Sequence, residues 1–150
     1  MRILDAHKIY YRHFEYNVDP NMSGVDIARM QNQNPDMVFK TLVTMARPGK
    51  YYVFLIPVAR ELDLKRAAIA VNEKSLSMLH QRDLLGVAGY VHGGCSPVGM
   101  KKLFPTVLDT SAQNFETIIF SAGRPGHQVQ VAPSDLLKIV PFTFADISAE

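Results

Sequence analysis

The sequence predicts a single α/β (α+β) domain over residues 1–150, with a mixed β-sheet surrounded by helices. Three observations lead there. Strand-like and helix-like segments are interleaved along the whole chain. Two neighbouring strand-like runs flank a Pro-Gly turn, so at least one strand pair is antiparallel and the sheet is not purely parallel. No linker, repeat or low-complexity tract divides the chain. With 150 residues, 47% hydrophobic and 20% charged, the chain is long enough for one core to hold it without disulfides or a structural metal.

In chain order, Ile3, Leu4, His7 and Tyr10/Tyr11 have helix-like spacing, and a short extended stretch around Phe14–Tyr16 ends before Asp19-Pro20. Ser23 is placed to cap a helix running to Met30, with Asp26 three residues on. The β-branched and apolar run MVFKTLVTMA (37–46), the turn Arg47-Pro48-Gly49-Lys50 and the run YYVFLIPVA (51–59) predict a β-hairpin. Leu62 to Val71 has a helical apolar face, and Ser77 to Leu85 predicts a second helix closed by Gly86. After a glycine-rich stretch come a strand over LFPTVLD broken by Pro105, a helical turn at Ser111–Phe115 and the strands ETIIFSAG and QVQVA around Arg124-Pro125-Gly126. A helix opened by Pro133 and a last short strand at FTFAD complete the pattern.

Sixteen basic against fourteen acidic residues leave a net charge of +2, too little for a dedicated duplex-binding surface but compatible with a few phosphate contacts. The one cysteine, Cys95, can form no internal disulfide, and no cysteine pair has zinc-ligand spacing. His7, His13, His80 and His127 show neither HxxxH nor HExxH spacing, so no metal site is expected. The N-terminus lacks an apolar run of signal-peptide length, and the longest apolar stretch, nine residues from Tyr51 to Ala59, contains a proline, so a membrane span is not expected and the cytoplasm is the expected location.

Two features suggest chemistry. Lys40 interrupts the apolar run VFKTLV and shares a strand face with Val38 and Leu42. An ammonium withdrawn from water without a partner costs several kcal/mol, so such a lysine has an anionic partner, reaches a wet cavity, or snorkels to solvent from a strand end. The second feature is Gly89–Gly99, GYVHGGCSPVG, with four glycines and a proline in eleven residues. A backbone of this kind either packs tightly as a turn or presents several N–H groups to one carbonyl oxygen or phosphate. It is neither a Walker loop nor a dinucleotide fingerprint. Within it, Cys95 and Ser96 follow His92, which admits a nucleophile reading, although catalytic partners usually assemble across a fold and a lone loop cysteine is more often inert. Asp109 reads as a helix cap in preference to a catalytic acid.

VFKTLV with Lys40, VARELDLKRAA from Val58, GYVHGGCSPVGMKKLFPTVLD from Gly89 and FSAGRPGHQVQVAPSDLLKI from Phe120 together resemble the YbaK/EbsC family of aminoacyl-tRNA editing deacylases, which includes the insertion domain of bacterial prolyl-tRNA synthetases. The match is most similar to the free-standing YbaK type, which hydrolyses Cys-tRNA(Pro). The resemblance implies a mixed-sheet, partly closed barrel ringed by helices, with the site in a cleft between the lysine strand and the glycine-rich loop. Carried over by position, Lys40 is the family's essential lysine, with Thr41 beside it. Gly93, Gly94, Cys95, Ser96 and Pro97 form the Gly-x-x-x-Pro loop that holds the aminoacyl group, continued by Gly99 and Lys101, while Tyr16 and Ser121 match a tyrosine and a serine of the site. Where many members carry an aspartate, this chain has His127-Gln128. Cys95 replaces a residue that is usually aliphatic and inherits no catalytic role from the family.

The implied activity is trans-editing of mischarged tRNA without a cofactor. Cys-tRNA(Pro) is the expected substrate, its own thiol serving as nucleophile; Ala-tRNA(Pro) deacylation, a non-catalytic aminoacyl-tRNA-binding module and a Cys95 thiol hydrolase are the alternatives. The expected partners are the acceptor end of the tRNA, held lightly through Lys101, Lys102 or Arg124, and a prolyl-tRNA synthetase that supplies tRNA specificity.

Overall fold

The computed structural model describes residues 2–150. Five helices and ten strands follow one another: α1 (Arg2–Ala6), β1 (Arg12–Glu15), α2 (Gly24–Met30), β2 (Phe39–Arg47), β3 (Lys50–Pro57), β4 (Glu61–Leu62), α3 (Leu64–Ala70), β5 (Ser77–Met78), α4 (Gln81–Ala88), β6 (Thr106–Asp109), β7 (Ile118–Ser121), β8 (His127–Val131), α5 (Pro133–Leu136), β9 (Phe142–Ala145) and β10 (Ser148–Ala149). One sheet has the order β5-β2-β3-β6-β9 and a second β1-β8-β7, while β10 pairs with β4. The larger sheet is mixed: β2–β3 and β2–β5 are antiparallel, β3–β6 and β6–β9 parallel. The two sheets meet at a parallel bridge between Val38 and Ile119. They wrap around a common core.

The hairpin forms as its sequence dictates, from Phe39 opposite Pro57 to Arg47 opposite Lys50, with a register shift between Met45 and Arg47. Its pleat divides the core. Phe39, Val43, Val53 and Leu55 pack with Leu108, Phe120, Val129 and the loop residues Cys95 and Val98. Tyr52, Phe54 and Ile56 face the other way, onto Ala67 and Ala68 of α3, whose small side chains permit close approach. A third cluster, Ala28 with Val38 and Ile119, seats α2 across the junction of the sheets. The predicted cap of α2 is a capping box: the Ser23 hydroxyl accepts from Asp26 N, and the Asp26 carboxylate accepts from Ser23 N.

The structure corrects several expectations. The helix read over Ser77–Leu85 begins only at Gln81, because Ser77 and Met78 pair with Met45 and Thr44 along the free edge of β2. That tertiary pairing outweighs local helix propensity. The helix also runs through Gly86 and ends at Gly89, which takes the left-handed conformation at φ +86°. The expected helix over Leu62–Val71 is shortened at its start, since Leu62 belongs to β4 and Asp63 caps the helix. The strand at LFPTVLD starts only after Pro105, at Thr106. The opening helix stops at Ala6, leaving Tyr10 and Tyr11 outside it.

Asp109 is a cap, as expected, and more. Its carboxylate, 2% exposed, accepts from Ser111 N at 3.3 Å and from Ile147 N at 3.1 Å, tying the end of β6 to the C-terminal segment. Asp109→Ala leaves the amide of fully buried Ile147 without its acceptor. The expected loss is about 1–3 kcal/mol, read as a lower urea midpoint with an unchanged slope; an unchanged midpoint would contradict the structural role.

Candidate functional site

Strand alternation and register bring the carried-over residues of the sheets onto one face. Val38 bridges Ile119, so two residues further along each parallel chain are Lys40 and Ser121, on the same pleat face as that bridge. Ser121 pairs with Gln128 across β7–β8, and Gln128 pairs with Phe14 across β8–β1. Tyr16 lies two residues beyond Phe14, and its N–H donates to Gly126 O at 2.9 Å. Lys40, Ser121, Gln128 and Tyr16 therefore form a polar row beside the α2-covered apolar cluster of Ala28, Val38 and Ile119.

Lys40 is half-buried and, among the described residues, its side chain makes no hydrogen bond or ion pair. Gln128, 7% exposed, is held in place: its Oε1 accepts from Gln31 Nε2 at 2.9 Å and Gln33 Nε2 at 3.1 Å. With that oxygen doubly occupied, Gln128 offers the site amide N–H groups where a carboxylate would offer negative charge. Gln31 and Gln33, from the segment following α2, were not anticipated; as polar residues at a helix end they carry no local signal. The Ser121 hydroxyl accepts from Gly123 N at 3.2 Å, shaping the exit from β7.

Thr41, the next residue after Lys40, points to the opposite face of β2, and its Oγ1 is buried with no hydrogen-bond partner. That is the face onto which Cys95 and Val98 of the glycine-rich loop pack. The Cys95 and Val98 side chains thus pack on the face opposite to Lys40, and the β7–β8 hairpin links the lysine strand to the loop backbone. A Cβ on Gly94 would come within 2.7 Å of Pro125 Cδ and 2.8 Å of Arg124 Cα, so only glycine permits this approach of loop backbone to hairpin turn. Tyr90 donates its hydroxyl to Val98 O and fixes the loop's far side, against which Gly99 also lies.

From Gly94 to Val98 the loop is buried, while Gly93 and Gly99 are exposed. Ser96 is fully buried, its Oγ accepting from Val98 N at 3.2 Å. The Gly94 amide donates to Val91 O at 3.0 Å and is therefore not available to a ligand. The amides of Gly93, Cys95 and Ser96 make no hydrogen bond to another described residue. Burial pushes the Cys95 thiol up to about 12, so it stays protonated and is a poor nucleophile near neutral pH. Among the basic residues, Lys101 lies with its stem across Gly89 and its Nζ 3.4 Å from Gly86 O, and Lys102 and Arg124 are exposed.

This fold and motif set is that of a known family: residues 20–139 match the model of the aminoacyl-tRNA editing domain, and the chain belongs to that family. A relative described as a candidate Cys-tRNA(Pro)/Cys-tRNA(Cys) deacylase, EbsC of Enterococcus faecalis, is 40% identical over all of this chain and 92% of its own length. The proline–tRNA ligase of Tropheryma whipplei is 30% identical over 68% of this chain, which corresponds to 16% of that protein. A solved structure described as a candidate trans-editing enzyme for prolyl-tRNA synthetase superposes with a TM-score of 0.82 at 22% identity, covering 93% of this chain and 87% of that one, and shows the shared fold. No helix among the described residues is long and apolar enough to cross a membrane.

The raised thiol pKa makes a direct prediction. Native protein at neutral pH is expected to resist alkylation of Cys95 by iodoacetamide, whereas urea-unfolded protein reacts readily, as followed by mass spectrometry. Because the folded thiol keeps its proton while the unfolded one ionises near 9.0, the same burial removes stability as pH rises from about 9 toward about 12. Equal alkylation rates in folded and unfolded protein would overturn both statements.

Proposed function

We propose that this chain deacylates mischarged aminoacyl-tRNA in trans, with Cys-tRNA(Pro) as its substrate. The observation that carries the reading is the unpartnered, half-buried Lys40 in register with Ser121 and Gln128 on the sheet of an editing-family fold. The curated relative with which it shares 40% identity supports the choice of amino acid. Editing is needed because a synthetase pocket distinguishes small apolar side chains by only about 1–3 kcal/mol.

The ester to be cleaved is already activated, so positioning and charge stabilisation suffice. The Lys40 ammonium holds the terminal ribose or its phosphate against the sheet face. Amides of the loop, Cys95 and Ser96 foremost, receive the charge that develops on the ester oxygen; one well-aimed donor of this kind contributes about 3–4 kcal/mol. Cys95 itself supplies no nucleophile. The substrate's thiol gives up its proton and attacks its own carbonyl carbon, the bond to the ribose 3′ oxygen breaks, that oxygen takes up the equivalent proton, and the aminoacyl group leaves as a cyclic thiolactone. Gln128 orients the aminoacyl end through its free amide hydrogens. The bulk of the tRNA is held by a few phosphate contacts through Lys101, Lys102 or Arg124, in keeping with a net charge of +2. Discrimination among tRNAs falls to a prolyl-tRNA synthetase acting alongside.

A deacylation panel with Cys-, Ala- and Ser-charged tRNA(Pro) tests this. Cys-tRNA(Pro) is expected to be cleaved and Ser-tRNA(Pro), of the same shape without the thiol, to survive. Lys40→Ala is expected to lower kcat by about a hundredfold or more in a protein that still melts cooperatively. Equal cleavage of Ala-tRNA(Pro) would replace the substrate-thiol step with attack by water. Full activity of folded Lys40→Ala would refute the assignment of the lysine.

A further inference from the structure

The geometry points to a binding site for a divalent cation of the zinc class on the opposite face of the β1–β8 pair, built from His13, Glu15 and His127. These side chains share the pleat face that alternates with Phe14 and Gln128, since Glu15 pairs with His127 and His13 with Val129. One ligand atom from each lies within 4.8 Å of the others. His13 Nε2 and His127 Nδ1 are 3.1 Å apart, and Glu15 Oε1 lies 3.9 Å from His127 Nδ1. Metal–nitrogen bonds of about 2.0–2.1 Å at a tetrahedral angle separate two ligand atoms by about 3.3 Å, close to this spacing.

The ring arrangement is also that of a ligand pair. The planes are within 14° and the centroids 5.2 Å apart. With the two nitrogens at 3.1 Å, the rings meet edge to edge, their in-plane lone pairs turned toward each other rather than face on face. A single proton between them makes one hydrogen bond; a cation set slightly to the side of the nitrogen–nitrogen line engages both. Two imidazoles and a carboxylate form a borderline donor set, suited to Zn2+ rather than to Mg2+ or Ca2+. A cleft of about 430 Å³, lined by Glu15, Tyr16, Asn17, Val18, Pro125, Gly126 and His127, opens onto the cluster and leaves room for water to complete the coordination. Motif spacing could not disclose the grouping, because His13 and His127 stand 114 residues apart. A cation here clips β1 to β8 and stiffens the Arg124–Gly126 turn on which Gly94 rests. This inference stands independently of the deacylation reading.

Untagged protein titrated with Zn2+ and with Co2+ tests it. The expected result is one site per chain, a Co2+ visible spectrum of low-coordinate type without a sulfur charge-transfer band, and a higher melting temperature with Zn2+ than in EDTA. His13→Ala and His127→Ala are each expected to weaken binding by about tenfold or more, since even outer-shell losses cost that much, while melting in EDTA as the parent does. Glu15→Gln, at an exposed position that cannot disturb folding, is expected to weaken it likewise. No saturable binding, a sulfur charge-transfer band implicating Cys95, or unchanged affinity in a His13→Ala/His127→Ala variant would overturn the site.

Discussion

The parallel backbone bridge from Val38 to Ile119 is the constraint on which the site's arrangement depends. It joins two sheets that otherwise belong to separate ladders, and it sets the phase of β2 relative to β7. Side chains alternate with a period of two, so a slip of one residue would carry Lys40 into the core that holds Cys95 and Val98 and turn Phe39 outward. The buried trio Ala28, Val38 and Ile119 prevents that slip, because it places α2 over the bridge and packs it shut. Apolar packing thereby fixes the position of a cation a few ångströms away.

The β7–β8 hairpin is the second shared element. Its strands carry Ser121 and Gln128 on the lysine face, and its turn bears directly on Gly94 of the glycine-rich loop. The lysine strand and the loop both bear on this one hairpin, so each is located relative to the other. Gln128 shows how a neutral side chain can be made directional: two glutamine donors occupy its oxygen and leave its amide hydrogens for the site. On its other face the same hairpin brings His127 to His13 and Glu15.

Much of this was legible in the amino-acid sequence where the determining contacts are local. The β2–β3 hairpin could be read because both strands and their Pro-Gly turn are contiguous, and the α2 cap because Ser23 and Asp26 are three residues apart. Lys40 stood out as one charge in an apolar strand, and the loop stood out by composition. What sequence could not supply is partnership across the fold. Ser77 and Met78 are drawn into a strand by the edge of β2, and Leu62 by the C-terminal pair, against their helical surroundings. Gln31 and Gln33 become part of the site only because the chain after α2 passes beside β8, and the histidine pair exists only through the β1–β8 register.

The account's central claim is that the ammonium of β2 and the amides of the glycine-rich loop act on one acylated nucleotide. A crystal structure with a hydrolysis-resistant, amide-linked 3′-cysteinyl adenosine addresses it most directly. The account predicts the terminal ribose or its phosphate within hydrogen-bonding distance of Lys40 Nζ, and the acyl oxygen facing the amides of Cys95 and Ser96. An analogue bound away from this sheet face, with Lys40 turned to bulk solvent, would contradict it.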